Sequence, residues 1–134
     1  MSFIPLWLTE TIWEKKRMFK DFLWELTLTV PAGQTIAARV VLPQDEVWFE
    51  KGYEFEPDAL DVFRFSHWHD GLPQMIDILL TESILSWRYT KPEIVRSSFV
   101  VQIKNEDTID HKIHVKGLYR AILREEFNKL MRVV

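Results

Sequence analysis

From Trp24 onward the chain alternates apolar and polar residues with a period of two. Trp24, Leu26, Leu28 and Val30 interleave with Glu25, Thr27 and Thr29, the pattern of a strand with one buried face. Pro31-Ala32-Gly33-Gln34 is a turn signal, because Pro presets φ and Gly tolerates positive φ. Residues 35–42 read as a second strand, followed by the turn Pro43-Gln44-Asp45-Glu46. Residues 47–56 read as a third. There Val47, Phe49, Tyr53 and Phe55 share one face, interrupted by Lys51, and Trp48, Glu50, Glu54 and Glu56 share the other. Pro57-Asp58 ends it. Residues 61–69 form the next strand, with Phe63 and Phe65 opposite Val62, Arg64 and Ser66.

After the turn Asp70-Gly71-Leu72-Pro73, residues 75–80 and 84–89 read as shorter strands, the second of which also reads as a loop. Residues 94–122 read as a hairpin. Val95, Phe99, Val101 and Ile103 make its first apolar face, and Ile109, Ile113, Val115, Tyr119 and Ala121 make the second, around Asn105-Glu106-Asp107-Thr108. Helical spacing flanks this region. In residues 9–23, Thr9 or Thr11 caps and Ile12, Trp13, Phe19, Phe22 and Leu23 form the stripe; in residues 123–133, Phe127, Leu130 and Met131 do so.

Eight short strands at this spacing predict a mainly β chain: an eight-stranded antiparallel β-sandwich, jelly-roll-like, with an N-terminal helix and a short C-terminal helix. An immunoglobulin-like sandwich is the rival. The expected division is one domain over 1–134, with a helical segment 9–23, a β core 24–122 and a C-terminal helix 123–133. A length of 134 residues suits one core. The chain has no Cys, which removes disulfides and thiolate chemistry. A net charge of -3 argues against nucleic-acid binding, and the chain shows neither a signal peptide nor a transmembrane stretch.

Charge is unevenly placed. Residues 45–70 carry eight acids to two bases, and residues 112–132 carry six bases to two acids. Opposed regions suit either a head-to-tail interface between copies or cancellation on adjacent strands.

Candidate chemistry is sparse. His67 and His69 share a strand face and are the candidate metal ligands, whereas His111 and His114 point to opposite faces. In a jelly roll, where the fourth strand runs antiparallel to the seventh, the two histidine pairs fall at opposite ends. Glu50, Glu54 and Glu56 read as a solvated acidic face. Trp48 and Trp68, with Glu50 and Glu54, are the candidates for a sugar-stacking platform. Trp7, Trp48, Trp68, Phe127 and Met131 are the interface candidates. No phosphate-cradling loop or nucleophile elbow is present, so the expectation is no enzyme, no catalytic residue, no cofactor and no resident metal.

Two resemblances bear on these residues. Val30-Pro31-Ala32-Gly33-Gln34-Thr35, the stretch PDALDVFRF (57–65), and the closing segments 100–107 and 110–117 follow an order over about residues 24–120. That order resembles small β-sandwich coat, tail and accessory proteins of phages and archaeal viruses. This likeness implies a non-catalytic assembly protein, made in a host cytoplasm and placed in a virion. Its partners would be further copies or other virion proteins, with no membrane and no nucleic acid. The His67-x-His69 pair resembles the first motif of cupins, which are jelly-roll metalloproteins. Asp70 and Gly71 follow it at once, without the Glu the motif continues to. A carbohydrate-binding sandwich and a cupin-like metalloprotein are therefore the alternatives to the virion reading.

Overall fold

The computed structural model describes residues 20–133. The strands are β1 (Lys20–Val30), β2 (Thr35–Val41), β3 (Glu46–Pro57), β4 (Phe63–His69), β5 (Leu72–Leu79), β6 (Ser86–Val95), β7 (Ser98–Asn105) and β8 (His111–Leu123), followed by helix α1 (Arg124–Val133). They form two four-stranded antiparallel sheets with orders β1-β8-β3-β6 and β2-β7-β4-β5. Among the described residues no helix is long and apolar enough to cross a membrane.

The sheets pack through their alternating inward residues. Tyr53, Phe55, Val115 and Tyr119 of the first sheet meet Phe65, Phe99 and Val101 of the second in one buried cluster. Phe55 and Phe65 rings stand 4.8 Å apart edge-on, and Phe99 stacks on Tyr119 at 5.1 Å; such pairs add about 0.5–1.5 kcal/mol beyond area burial. A smaller apolar layer lies on the far side of the first sheet, where α1 covers Val47, Phe49, Ile94 and Ile122 with Phe127. Arg124 seats that helix. Its guanidinium donates to the carbonyls of Gln44 and Glu46, each at 2.9 Å, and to that of Arg96.

Three sequence expectations change. Residues 20–23 are strand, not helix: Phe22 continues the inward alternation of β1 and packs on Trp48 at 4.7 Å. The rest of the expected N-terminal helix lies outside the described residues, as does Trp7. The segment 94–122 is not a hairpin. β7 pairs with β2 and β4, whereas β8 pairs with β1 and β3. The connection between them crosses from sheet to sheet. Asn105 anchors the crossing, its Nδ2 donating to the carbonyls of Val30 and Ile109 at 3.0 and 2.8 Å.

The third change is in β3. Its register slips between Glu50 and Gly52 on both neighbours: against β8, Glu50 and Gly52 face the adjacent Tyr119 and Leu118, so Lys51 is one extra residue, and against β6 they face Glu93 and Arg88. Such a bulge inverts the phase of alternation. Trp48 and Glu50 face the other sheet before it, and Tyr53 and Phe55 face the same way after it. Val47 and Phe49 turn instead to the helix side. Gly52 is required here, since a Cβ would come within 2.1 Å of the Trp87 carbonyl oxygen.

Candidate metal centre

The bulge carries Glu50 into the interior opposite β4. Alternation along β4 puts His67 and His69 on the inner face, as the sequence pattern predicts. The three groups converge. His67 Nε2 lies 2.9 Å from Glu50 Oε1, His69 Nε2 lies 2.6 Å from Glu50 Oε2, and the two Nε2 atoms are 2.7 Å apart. Exposure is 0% for Glu50 and His67 and 2% for His69. Among the described residues this is the one cluster of three or more His, Asp or Glu groups with ligand atoms close enough for a metal ion.

Tyrosines close the cluster. The Tyr119 hydroxyl donates to Glu50 Oε1 at 3.2 Å, and the Tyr53 and Tyr119 oxygens are 2.7 Å apart. The Tyr53 oxygen is also 3.4 Å from His67 Nε2. Burial lifts both phenols well above their usual range, and the Glu50 charge adds to this. Burial alone would raise the Glu50 carboxyl, but His67 and His69 in their protonated form outweigh it by charge and hydrogen bonding and hold it at about 2. Glu93 lies opposite Glu50 on β6. Burial raises its carboxyl, opposed by His69 and reinforced by Glu50.

The hydrogen bonding of the cluster is incomplete. His67 Nδ1 donates to the Val100 carbonyl at 3.1 Å, so in the neutral form that a metal ligand must take, Nε2 carries the lone pair, within reach of His69 Nε2 and the Tyr53 hydroxyl. That lone pair faces a carboxylate and a second imidazole nitrogen. Among the described residues, the buried side-chain atoms without a hydrogen-bond partner are Glu50 Oε2, His69 Nδ1, Trp87 Nε1 and Glu93 Oε2. They belong to this cluster or to β6 beside it, whereas native interiors normally satisfy such atoms. A cation between the two Nε2 atoms and the carboxylate would answer the lone pairs. The Nδ1–H of His67 on a backbone carbonyl is the outer contact that orients a metal-bound imidazole. Ligands on a tetrahedral zinc stand roughly 3.3 Å apart, so the three groups would open by about half an ångström to admit an ion.

The other candidates fall elsewhere. Trp48 packs between the sheets against Phe22, Phe99 and Tyr119, and its Nε1 donates to Glu46 Oε1 at 3.1 Å. Glu54 lies outward and pairs with Arg88 at 2.9 Å. Trp68 points away from the interior on β4, half-buried. Trp48, Trp68, Glu50 and Glu54 therefore share no platform. Phe127 is 1% exposed beneath its own helix, and Met131 is half-buried beside it. His111 sits at the opposite end of the sandwich from His67 and His69, between Asp58 and Asp107 at 2.7 Å each. His114 lies on the outer face with Thr27 and Glu25. The two charged regions partly cancel within the chain: Lys116 pairs with Glu56 at 3.0 Å across adjacent strands.

Sequence reasoning missed Glu50, Tyr53 and Tyr119 as companions of the histidines. The available signal was Lys51, the one charge on an otherwise apolar face of β3 and the residue the bulge extrudes.

No protein-family model and no curated protein sequence matches the chain. Among solved structures, it is similar to the Aeromonas hydrophila PliG, a periplasmic lysozyme inhibitor of g-type lysozyme. Identity is 11% and the TM-score 0.36, over 76% of this chain and 90% of that one.

Proposed function

We propose that this protein is a cupin-like metal-binding sandwich, in which Glu50, His67 and His69 hold one divalent transition-metal ion. The observation that carries this is the convergence of three ligand groups, two imidazole Nε2 atoms and both oxygens of one carboxylate, at 2.6–2.9 Å in a buried interior. Two imidazoles and one carboxylate suit zinc, copper, iron or nickel better than calcium or magnesium. The strand pairing of β1 with β8, β2 with β7, β3 with β6 and β4 with β5 supports a jelly-roll-like reading of the fold. In that fold β3 and β4 lie in opposite sheets, and their ligands meet inside.

The test is metal content of protein purified without a histidine tag, stripped with chelator and dialysed against Zn(II) or Cu(II). One ion per chain is expected, with a rise in Tm. Glu50→Gln and His69→Gln should each weaken binding by more than about 100-fold, since outer contacts alone are worth 10–100-fold. His111→Gln should bind as wild type does. A wild-type protein that takes up no stoichiometric metal and gains no Tm ends this reading.

A second reading concerns the outer face of the sheet β2-β7-β4-β5, which α1 does not cover. Val41 is 68% exposed and Ile76 50% exposed, with Trp68 half-buried on β4. We infer that this face meets further copies or a larger assembly such as a virion, as the resemblance implies. Light scattering across a concentration series tests it. Val41→Lys and Ile76→Lys should lower the mass of any assembly, and a wild-type monomer that attaches to nothing would sink the idea.

A further inference from the structure

We propose that Tyr53 is the fourth ligand of the metal held by Glu50, His67 and His69, bound through its phenolate oxygen. The inference rests on the metal-binding reading above and names the residue that completes it.

Geometry selects Tyr53. Its oxygen is 3.4 Å from His67 Nε2, close to the roughly 3.3 Å between neighbouring ligands on one tetrahedral ion. The Tyr119 oxygen reaches Glu50 Oε1 and Tyr53 but no histidine nitrogen. The bulge that turns Glu50 inward puts Tyr53 on the same face three residues later. Glu93 is the other anion nearby, but its oxygens do not join the group of ligand atoms lying within 4.8 Å of one another.

Charge selects the phenolate. A dication with two neutral imidazoles and the Glu50 carboxylate leaves one positive charge in an interior where the ligands are 0–2% exposed. Uncompensated buried charge is costly. One tyrosinate brings the cluster to neutrality. On binding, the Tyr53 O–H bond breaks, the metal–oxygen bond forms and the proton leaves to buffer, with no change of oxidation state. Tyr119, 2.7 Å away, can then turn its hydroxyl from Glu50 to the Tyr53 oxygen and stabilise the anion by a charge-assisted hydrogen bond.

The experiment is Cu(II) titration of the stripped full-length protein, followed by visible absorption and by proton release in weak buffer. The wild type should show a phenolate-to-copper charge-transfer band that saturates at one equivalent. Tyr53→Phe should lose the band and release one proton fewer per copper, while still binding copper through the histidines. Tyr119→Phe and Glu93→Gln should keep the band. Proton release by the wild type reads the same event without any variant. Stoichiometric copper without the band overturns Tyr53 ligation and leaves the metal reading standing, as does a band kept in Tyr53→Phe but lost in Tyr119→Phe. Absence of copper binding overturns both.

Discussion

Glu50 and Tyr53 are three residues apart on one strand and face the same interior, because Lys51 is extruded between them. In a regular strand residues at that separation face opposite sides. The candidate metal centre exists only because the alternation of β3 is broken at this point.

Deleting Lys51 should therefore be tolerated. Glu50 stays opposite Tyr119, Gly52 opposite Leu118 and Tyr53 opposite Gly117, so no inward side chain turns over. The loss includes the Lys51–Asp21 pair, 3.5 Å apart and partly exposed, worth at most about 1 kcal/mol. Deleting Phe49 should unfold the chain, because it flips Val47 and Trp48 to the wrong faces. Urea denaturation of both deletions checks this, and an unfolded Lys51 deletion would refute it.

Gly117→Ala should disturb the tyrosine pair directly. A Cβ there meets Tyr119 Cε2 at 2.6 Å and Tyr53 Cε1 at 3.3 Å, and both rings are locked in the core. Overpacking of this kind costs about 1–3 kcal/mol. Near-ultraviolet circular dichroism and denaturant midpoints would both shift, and an unchanged pair of signals would show that the rings can yield.

The far end of the sandwich should respond to pH. Hydrogen bonding to Asp107, and then to Asp58, raises the His111 imidazole despite the opposing effect of burial. His111 likewise lowers the Asp107 carboxyl. Asp58, Asp107 and the Phe63 ring at 6.0 Å are the groups facing His111. A raised native imidazole stabilises fully below its unfolded value of about 6.5 and loses that contribution as pH rises through the native value. The lowered Asp107 stabilises above about 4 and loses its share as pH falls. The clamp should be strongest between these limits. Comparing Tm against pH for wild type and His111→Gln tests it: the wild-type advantage should shrink above neutrality, and a constant difference would contradict the clamp.

Phe127→Ala should cost about 3 kcal/mol. The ring is buried against Phe49 at 6.0 Å, with the Arg96 guanidinium 5.1 Å from its centroid. This layer lies across the sheet from Glu50, so metal binding should persist at reduced stability. Denaturant unfolding with and without Zn(II) measures both terms, and joint loss of metal binding would mean the two layers are coupled.

Much of the framework was legible residue by residue. Leu26, Leu28 and Val30 against Glu25, Thr27 and Thr29 marked β1, and the placement of Phe63, Phe65, His67 and His69 on one face of β4 followed from alternation alone. Helix α1 was readable from Phe127, Leu130 and Met131. The separation of His67 and His69 from His111 followed once β4 ran antiparallel to β7. Glu50 was not legible, since an acidic residue flanked by Trp48 and Glu54 has the pattern of a solvated face.

Local pattern determined where strands form and which residues within a regular run share a face, because the two-residue repeat is a property of the backbone itself. The tertiary structure alone decided which strands pair. β7 and β8 look like hairpin partners because they are adjacent and complementary, yet each finds its neighbours at long range, where sheet packing outweighs loop length. It also decided the bulge at Lys51, whose cost is met by contacts from β6 and β8 rather than by β3. Those distant contacts bring Glu50, Tyr53 and Tyr119 to the two histidines.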